Sequence, residues 1–174
     1  KVVHSFARNE SAYSVVNFIT HVNGFTLMDL VSYDIKHNES NGEGNRDGAE
    51  INYSWNCGVE GKTRKRTVMD RRMTQIRNAF LMLLTSQGTP MILAGDEFGN
   101  TQMGNNNAYC HDDEMTWLNW NKTKRSESIF TFVKNMIAMR KSFRVFRQDH
   151  PLQMMDTLSC GMPDLSMHGV QAWR

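Results

Sequence analysis

The chain has 174 residues, of which 40% are hydrophobic and 22% charged, with a formal net charge of +2. That length fits one domain, or one domain plus part of another, and the composition is ordinary for a globular chain. The near-neutral balance gives no electrostatic reason to invoke nucleic acid, and no run approaches the roughly 18 apolar residues that a membrane span needs.

The N-terminal Lys1-Val2-Val3-His4-Ser5 lacks the apolar stretch of a secretory signal. Cys57, Cys110 and Cys160 are odd in number and widely spaced, without a CxxC or a histidine at metal-ligand spacing. They read as reduced thiols of a cytoplasmic protein. The basic run Lys62-Thr63-Arg64-Lys65-Arg66 reads as a solvated loop. No metal or cofactor is expected.

In chain order, residues 1–14 are polar and aperiodic, a connecting segment. Val15-Val16-Asn17-Phe18-Ile19-Thr20 is β-branched and mostly apolar, a short buried strand that ends in His21, Asn23 and Gly24. Asp34 to about Arg66 forms a long loop dense in Asn, Gly and acidic residues, and loops of that length in compact domains tend to carry function. Within it, Glu43-x-Asn45-x-Asp47-Gly48 has the outline of a calcium loop. Glu stands at its first position, however, and Ser54 occupies the twelfth, where a bidentate acid is required. It therefore reads as a polar loop.

Met69, Met73, Ile76, Phe80, Leu83 and Leu84 recur at three- and four-residue steps and predict an amphipathic helix, with Thr67 and Asp70 resembling a capping box. Gly88 and Pro90 stop it. Met91-Ile92-Leu93-Ala94 then reads as a strand buried on both faces, which delivers Asp96 and Glu97 to its C-terminal end. Adjacent strand residues point to opposite faces, so these carboxylates are not expected to face one substrate together.

A second long loop runs from Asn100 to about Arg125. It carries Gly104-Asn105-Asn106-Asn107-Ala108-Tyr109 and the pair Trp117 and Trp120, suited either to stacking on sugar rings or to a satellite core. A second amphipathic helix is predicted from about Ser126 to Phe143, with Ile129, Phe132, Val133, Met136, Ile137 and Phe143 as its apolar stripe. Beyond it, Pro151-Leu152, Met154-Met155, Thr157-Leu158 and Val170-Gln171-Ala172-Trp173 suggest short β segments. Strand, long loop, helix, strand, long loop, helix is two βα units with only the loops after the strands lengthened. That asymmetry belongs to (β/α) barrels, whose sites lie at the C-terminal face.

Several consecutive motifs resemble those of the glycogen debranching enzyme and isoamylase family, within the α-amylase superfamily of glycoside hydrolases. They are Asn17 to Leu27, Lys36-His37-Asn38-Glu39, Gly44-Asn45-Arg46-Asp47-Gly48, Ser54-Trp55-Asn56-Cys57-Gly58, Ser86-Gln87-Gly88-Thr89-Pro90 and Asn105 to Cys110, followed by Met155 to Gly161. The resemblance implies an α/β fold: residues 15–145 as the last two βα units of a (β/α)8 TIM barrel, and residues 146–174 as the truncated start of a C-terminal β-sandwich.

It also implies a retaining hydrolase of α-1,6 branch linkages in α-glucans such as glycogen and branched dextrin. Its carboxylate nucleophile and general acid, about 5 Å apart, would lie on earlier strands. The fragment alone is then expected to be inactive. Asn106, Asn107 and Tyr109 are candidates for binding glucose hydroxyls.

The chain departs from the family's pattern at the end of the seventh strand, where a His-Asp pair clamps the sugar. Val22 stands at the clamp histidine and Asn23 at the transition-state-stabilising carboxylate. Asn23 supplies hydrogen bonds but no charge, and Val22 supplies neither. His21, one place early, is expected on the opposite strand face. Three classes stay open: part of a debranching hydrolase, a noncatalytic glucan-binding remnant, or an inert fragment that pairs with itself through exposed strand edges.

Overall fold

A computed structural model describes residue 7, residues 15–121 and residues 123–171; the expected connecting segment, residues 1–14, lies almost entirely outside them. Two parallel neighbouring strands form, the first inside its predicted run and the second just before the run predicted for it. β1 (Val16–Asn17) pairs with β2 (Thr89–Pro90) in the register Val16 to Thr89 and Asn17 to Pro90. The Thr89 amide donates to the Val15 carbonyl at 2.7 Å and the Met91 amide to the Asn17 carbonyl at 2.8 Å.

β1 is shorter than its apolar run predicts, and residues 91–94 do not form the expected strand: β2 lies just ahead of them, and residues 91–95 continue without strand structure into a turn. Val16, Phe18, Ile19 and Met91 are exposed, contrary to the expected burial on both faces. The cause is geometric: a two-stranded ribbon pairs one edge of each strand and covers neither face.

Between the strands lie α1 (Leu27–Leu30) and α2 (Arg66–Thr85), and α3 (Lys124–Ser142) follows. The Thr26 hydroxyl caps α1 by accepting from the Asp29 amide at 3.2 Å. The capping box expected at Thr67 and Asp70 does not form. Helix α2 starts earlier, on an N-cap Lys65 without a side-chain cap bond, and Asp70 instead faces Arg66 at 3.6 Å. The capping box of this chain is at α3, where Thr123 and Ser126 exchange hydrogen bonds.

Ile76, Phe80 and Leu84 of α2 meet Ile129, Val133 and Met136 of α3, with Leu27 and Val31 closing the core. Each such fully buried side chain contributes about 1.5–3 kcal/mol. Phe143, expected in the α3 stripe, is exposed because the helix ends one residue before it.

The C-terminus of α2 is held by a buried cation. Arg140 of α3 donates to the carbonyls of Leu84 at 2.9 Å, Ser86 at 2.6 Å and Gly88 at 2.5 Å. Leu84 and the C-cap Ser86 offer carbonyls that the helix leaves unpaired as it ends, Gly88 lies in the turn beyond, and a guanidinium there also complements the helix dipole. Arg72 does the same for the loop before α2, donating to the carbonyls of Asn56, Val59, Gly61 and Ser32.

Gly88, at φ +83°, turns the chain into β2, and a Cβ there would sit 2.6 Å from the Val15 carbonyl oxygen. After a short 3-10 turn at Arg144–Arg147, no strand forms among the described residues up to 171; Leu158, Met162 and Val170 are exposed in a turn-rich segment. The β segments expected there do not form, and residues 172–174 of the last one lie outside the description.

Candidate functional site

The loops that leave the two strand ends converge. At the end of β1 the chain passes through His21, Val22 and Asn23 without regular structure, so strict strand alternation does not govern where these side chains point. Val22 and Asn23 are exposed. His21 is half-buried, packs edge-on against Phe18 with ring centroids 5.3 Å apart, and accepts from the Asn23 amide through Nδ1 at 3.1 Å.

Residues 38–52 of the first long loop and 105–107 of the second are bound into one unit by amide side chains. The Asn106 amide donates to Asn38 Oδ1 at 3.0 Å, and Asn38 Nδ2 returns a bond to Asn106 Oδ1 at 2.8 Å. Asn106 Nδ2 then donates to the Ala49 carbonyl at 2.8 Å and to Asn52 Oδ1 at 2.7 Å. Asn105 Nδ2 reaches Asn41 Oδ1 at 2.6 Å.

The carboxylate of Asp47 is the hub. Its Oδ2 accepts from Asn41 at 2.7 Å and Asn107 at 2.8 Å, while Lys36 donates to its carbonyl at 2.9 Å and pairs with Glu50 at 2.5 Å. The Asn41 and Asn107 donors hold the Asp47 carboxyl below its ordinary range, because they favour the ionised form. Gly48, at φ +73°, lets the backbone pass: a Cβ there would stand 2.2 Å from Asn106 Oδ1.

The three expected sugar contacts therefore sit in different places. Asn106 is 2% exposed and its side chain is taken up internally. Asn107 is half-buried, with its amide nitrogen held by Asp47. Tyr109, on a 3-10 turn at Ala108–Cys110, is exposed. Asn38, Asn41 and Asp47 were not singled out as partners of this triplet by sequence reasoning; the signal available was the density of Asn and Asp in both loops.

The run after β2 places Asp96 and Glu97 on a 3-10 turn, Asp96–Phe98, rather than at a strand tip. Asp96 is buried and ties the two units together, accepting from the Thr20 hydroxyl and from the Leu27 amide at 2.8 Å. Burial pushes its pKa up to about 6, against the lowering effect of those two bonds. Glu97 bonds its own turn, accepting from the Gly95 amide at 2.8 Å. Asp29, also buried, accepts from the Thr101 hydroxyl and from the Gln102 amide at 2.7 Å, and its pKa is likewise raised by desolvation. These carboxylates anchor loops, and both oxygens of Asp96 and of Asp29 are occupied.

No family model matches the chain. Among curated relatives, it is 50% identical over 133 residues to a glycogen operon protein GlgX homolog of Mycobacterium tuberculosis, covering 76% of this chain and 18% of that protein. It is 50% identical over 151 residues to the GlgX homolog of Haemophilus influenzae, covering 83% of this chain and 23% of that one. It is 47% identical over 145 residues to the chloroplastic isoamylase 3 of Oryza sativa, covering 83% of this chain and 18% of that one.

The chain thus spans about a fifth of the length of the relatives it matches. Among solved structures, pullulanase from Bacillus acidopullulyticus superposes with a TM-score of 0.53 at 22% identity, covering 76% of this chain and 13% of that one, which shows a shared fold over that region. With half of its aligned residues identical to those relatives, the chain belongs to the glycogen debranching enzyme and isoamylase family of α-amylase-type glycoside hydrolases.

Proposed function

We propose that residues 15–145 are the seventh and eighth βα units of the catalytic barrel of a retaining debranching hydrolase, and that residues from 146 on begin its C-terminal β domain. The complete enzyme cleaves α-1,6 branch linkages of glycogen-like glucans and works in the cytoplasm. The observation that carries this reading is the parallel pairing of β1 with β2, whose following loops are locked to each other by Asn38 and Asn106. A barrel uses its C-terminal face in this way, with adjacent loops forming one wall of the site.

The exposed Val16, Phe18, Ile19 and Met91 are then the faces against which neighbouring strands and the barrel interior pack. In this reading Asn23 takes the position of the family's transition-state-stabilising carboxylate and Val22 that of its clamp histidine, and the exposed Tyr109 and half-buried Asn107 and His21 are the further sugar contacts. The nucleophile and general acid come from other strands of the barrel, since the buried carboxylates of this chain, Asp29 and Asp96, are already bonded to backbone amides and hydroxyls.

The chain by itself is therefore without hydrolytic activity, and its uncovered strands promote self-association. Incubation of the purified chain with branched limit dextrin, followed by reducing-end release, tests this. No turnover is expected, and sustained α-1,6 cleavage by this chain overturns the reading.

A further inference from the structure

Two open clefts flank the segment 117–121, outside the Asn-rich wall. One, about 250 Å³, is walled by Phe98, Trp120 and Phe130, with Asn119, Asn121 and Glu127 at its rim. The other, about 810 Å³, meets the same Asn119 and Asn121 from the opposite side and is bounded by Trp117. The two tryptophans do not form a satellite core: Trp120 is 72% exposed and Trp117 58% exposed.

They are nevertheless held. The Trp117 indole donates to Asp112 Oδ1 at 2.8 Å, and Trp120 lies tilted on Phe98 with ring centroids 5.3 Å apart. Between them, Leu118 packs over Gly95 so closely that a Cβ on that glycine would meet Leu118 Cδ2 at 2.8 Å. Pinning the middle of the segment inward turns the rings beside it outward. Among the described residues, no hydrogen bond is made by the Asn121 side chain or the Glu127 carboxylate, and only Oδ1 of Asn119 is engaged, by the Asn121 amide at 2.9 Å.

Pre-positioned aromatic faces with a few convergent polar groups are the signature of a small-ligand site. Here the rings alternate with amides and a carboxylate instead of forming one apolar sheet. A glucose unit has matching chemistry, an apolar C–H face surrounded by hydroxyls that both donate and accept.

We propose that Trp117–Asn121 is a noncatalytic docking platform for one linear α-1,4-glucan chain, which stacks on Trp120 with Phe98 and on Trp117 and hydrogen-bonds to Asn119, Asn121 and Glu127. The location comes from the geometry, whereas the α-glucan class rests on the function proposed above. Such a platform retains a branched polymer while a neighbouring branch is processed.

The test is a titration of the full chain with maltoheptaose and with cellohexaose, read by tryptophan fluorescence and calorimetry, on wild type and on Trp120→Ala, Trp117→Ala and Trp55→Ala. Circular dichroism confirms that each variant is folded. Saturable maltoheptaose binding is expected, weakened at least tenfold in Trp120→Ala, less in Trp117→Ala and not at all in Trp55→Ala, with cellohexaose bound at least tenfold more weakly. Absence of saturable binding by wild type, or equal affinity in Trp120→Ala, overturns the platform without touching the debranching reading. Equal binding of cellohexaose overturns the α-glucan assignment, and absence of limit-dextrin cleavage by the complete wild-type enzyme overturns the debranching reading independently.

Discussion

Asn38 and Asn106, 68 residues apart, form a closed pair in which each amide satisfies the other's segment: Asn38 Nδ2 donates to Asn106 Oδ1 and the Asn106 backbone amide donates to Asn38 Oδ1. Both are almost fully buried. Replacing Asn106 by Ala removes one acceptor and two donors at once and leaves Asn38 Nδ2, the Ala49 carbonyl and Asn52 Oδ1 short of partners. An unsatisfied buried polar group costs about 1–3 kcal/mol. Asn106→Ala is expected to lower unfolding stability by about 3 kcal/mol in urea denaturation. A loss below about 0.5 kcal/mol, the range of ordinary surface substitutions, would show that the two loops are not coupled through this pair.

A second expectation concerns the strand pairing. The Gly88 backbone lies against Val15 at a φ that side chains rarely adopt, with no room for a methyl group. Gly88→Ala must therefore push β2 away from β1 and weaken the bonds from the Thr89 and Met91 amides. Hydrogen exchange at those two amides should accelerate at least tenfold in the variant, while amides in the middle of α2, such as Ile76, stay protected. Uniform acceleration everywhere would mean global destabilisation instead of local unzipping.

The buried Asp96 sets a pH dependence whose direction can be worked out. Its folded pKa is about 6 against an ordinary 3.8, so between those values the folded chain holds a proton that the unfolded chain has released. Stability from this group is fully present below about pH 3.8 and is lost as pH rises toward 6. A shift of this size corresponds to about 3 kcal/mol. Asn in its place can accept from the Leu27 amide and donate to the Thr20 hydroxyl without titrating. The stability of Asp96→Asn relative to wild type should therefore rise between pH 4 and pH 7. Asp47, whose shift has the opposite sign, is present in both proteins and cancels from the difference. A pH-independent difference would refute the buried-acid account.

Arg140 provides a test of how α2 is terminated. Arg140→Met keeps much of the apolar stem but leaves the carbonyls of Leu84, Ser86 and Gly88 without their donor. A loss of about 3 kcal/mol is expected in thermal or urea unfolding. Arg140→Lys should recover only part of it, because an ammonium lacks the fork that reaches three carbonyls. Equal stability of the Lys variant and wild type would assign the effect to charge alone.

The elements that were legible in the sequence are those with local causes. The three- and four-residue spacing of Ile76, Phe80, Leu83 and Leu84 fixes one face of a helix whatever surrounds it, and α2 runs where that spacing places it. The adjacency of the strands followed from two βα units in succession. Long-range side-chain bonds were not legible. Nothing near Arg140 in the chain marks it as the cap of a helix ending at Thr85, and its partners lie over fifty residues away.

Asn106 illustrates the same limit within the candidate site. An Asn triplet in a loop suggests hydroxyl recognition, but only the fold shows that the middle residue is consumed by Asn38, Ala49 and Asn52 while Tyr109 faces outward. The capping box forms at Thr123 and not at Thr67 because α2 already begins at Arg66, which leaves Thr67 inside the helix instead of at its N-cap.

The last prediction concerns the substituted positions Val22 and Asn23. Both are exposed, on a loop without regular structure, and among the described residues the Asn23 side chain makes no hydrogen bond, while its backbone amide reaches His21. New side chains there displace no buried packing, so Val22→His with Asn23→Asp should leave the stability of the chain within about 0.5 kcal/mol. In the complete barrel the introduced carboxylate would face positive charge that develops at the sugar in the transition state, a contact made more strongly there than in the ground state. Contacts of that type are worth about 10²–10³ in kcat. The double variant of the complete enzyme should therefore gain in kcat by a factor in that range on limit dextrin, with a much smaller change in KM. Asn23→Asp alone should give most of the gain, since it supplies the charge, and Val22→His alone should give little. A double variant no faster than wild type would mean that these residues do not occupy the sugar-clamping positions that the family resemblance assigns to them.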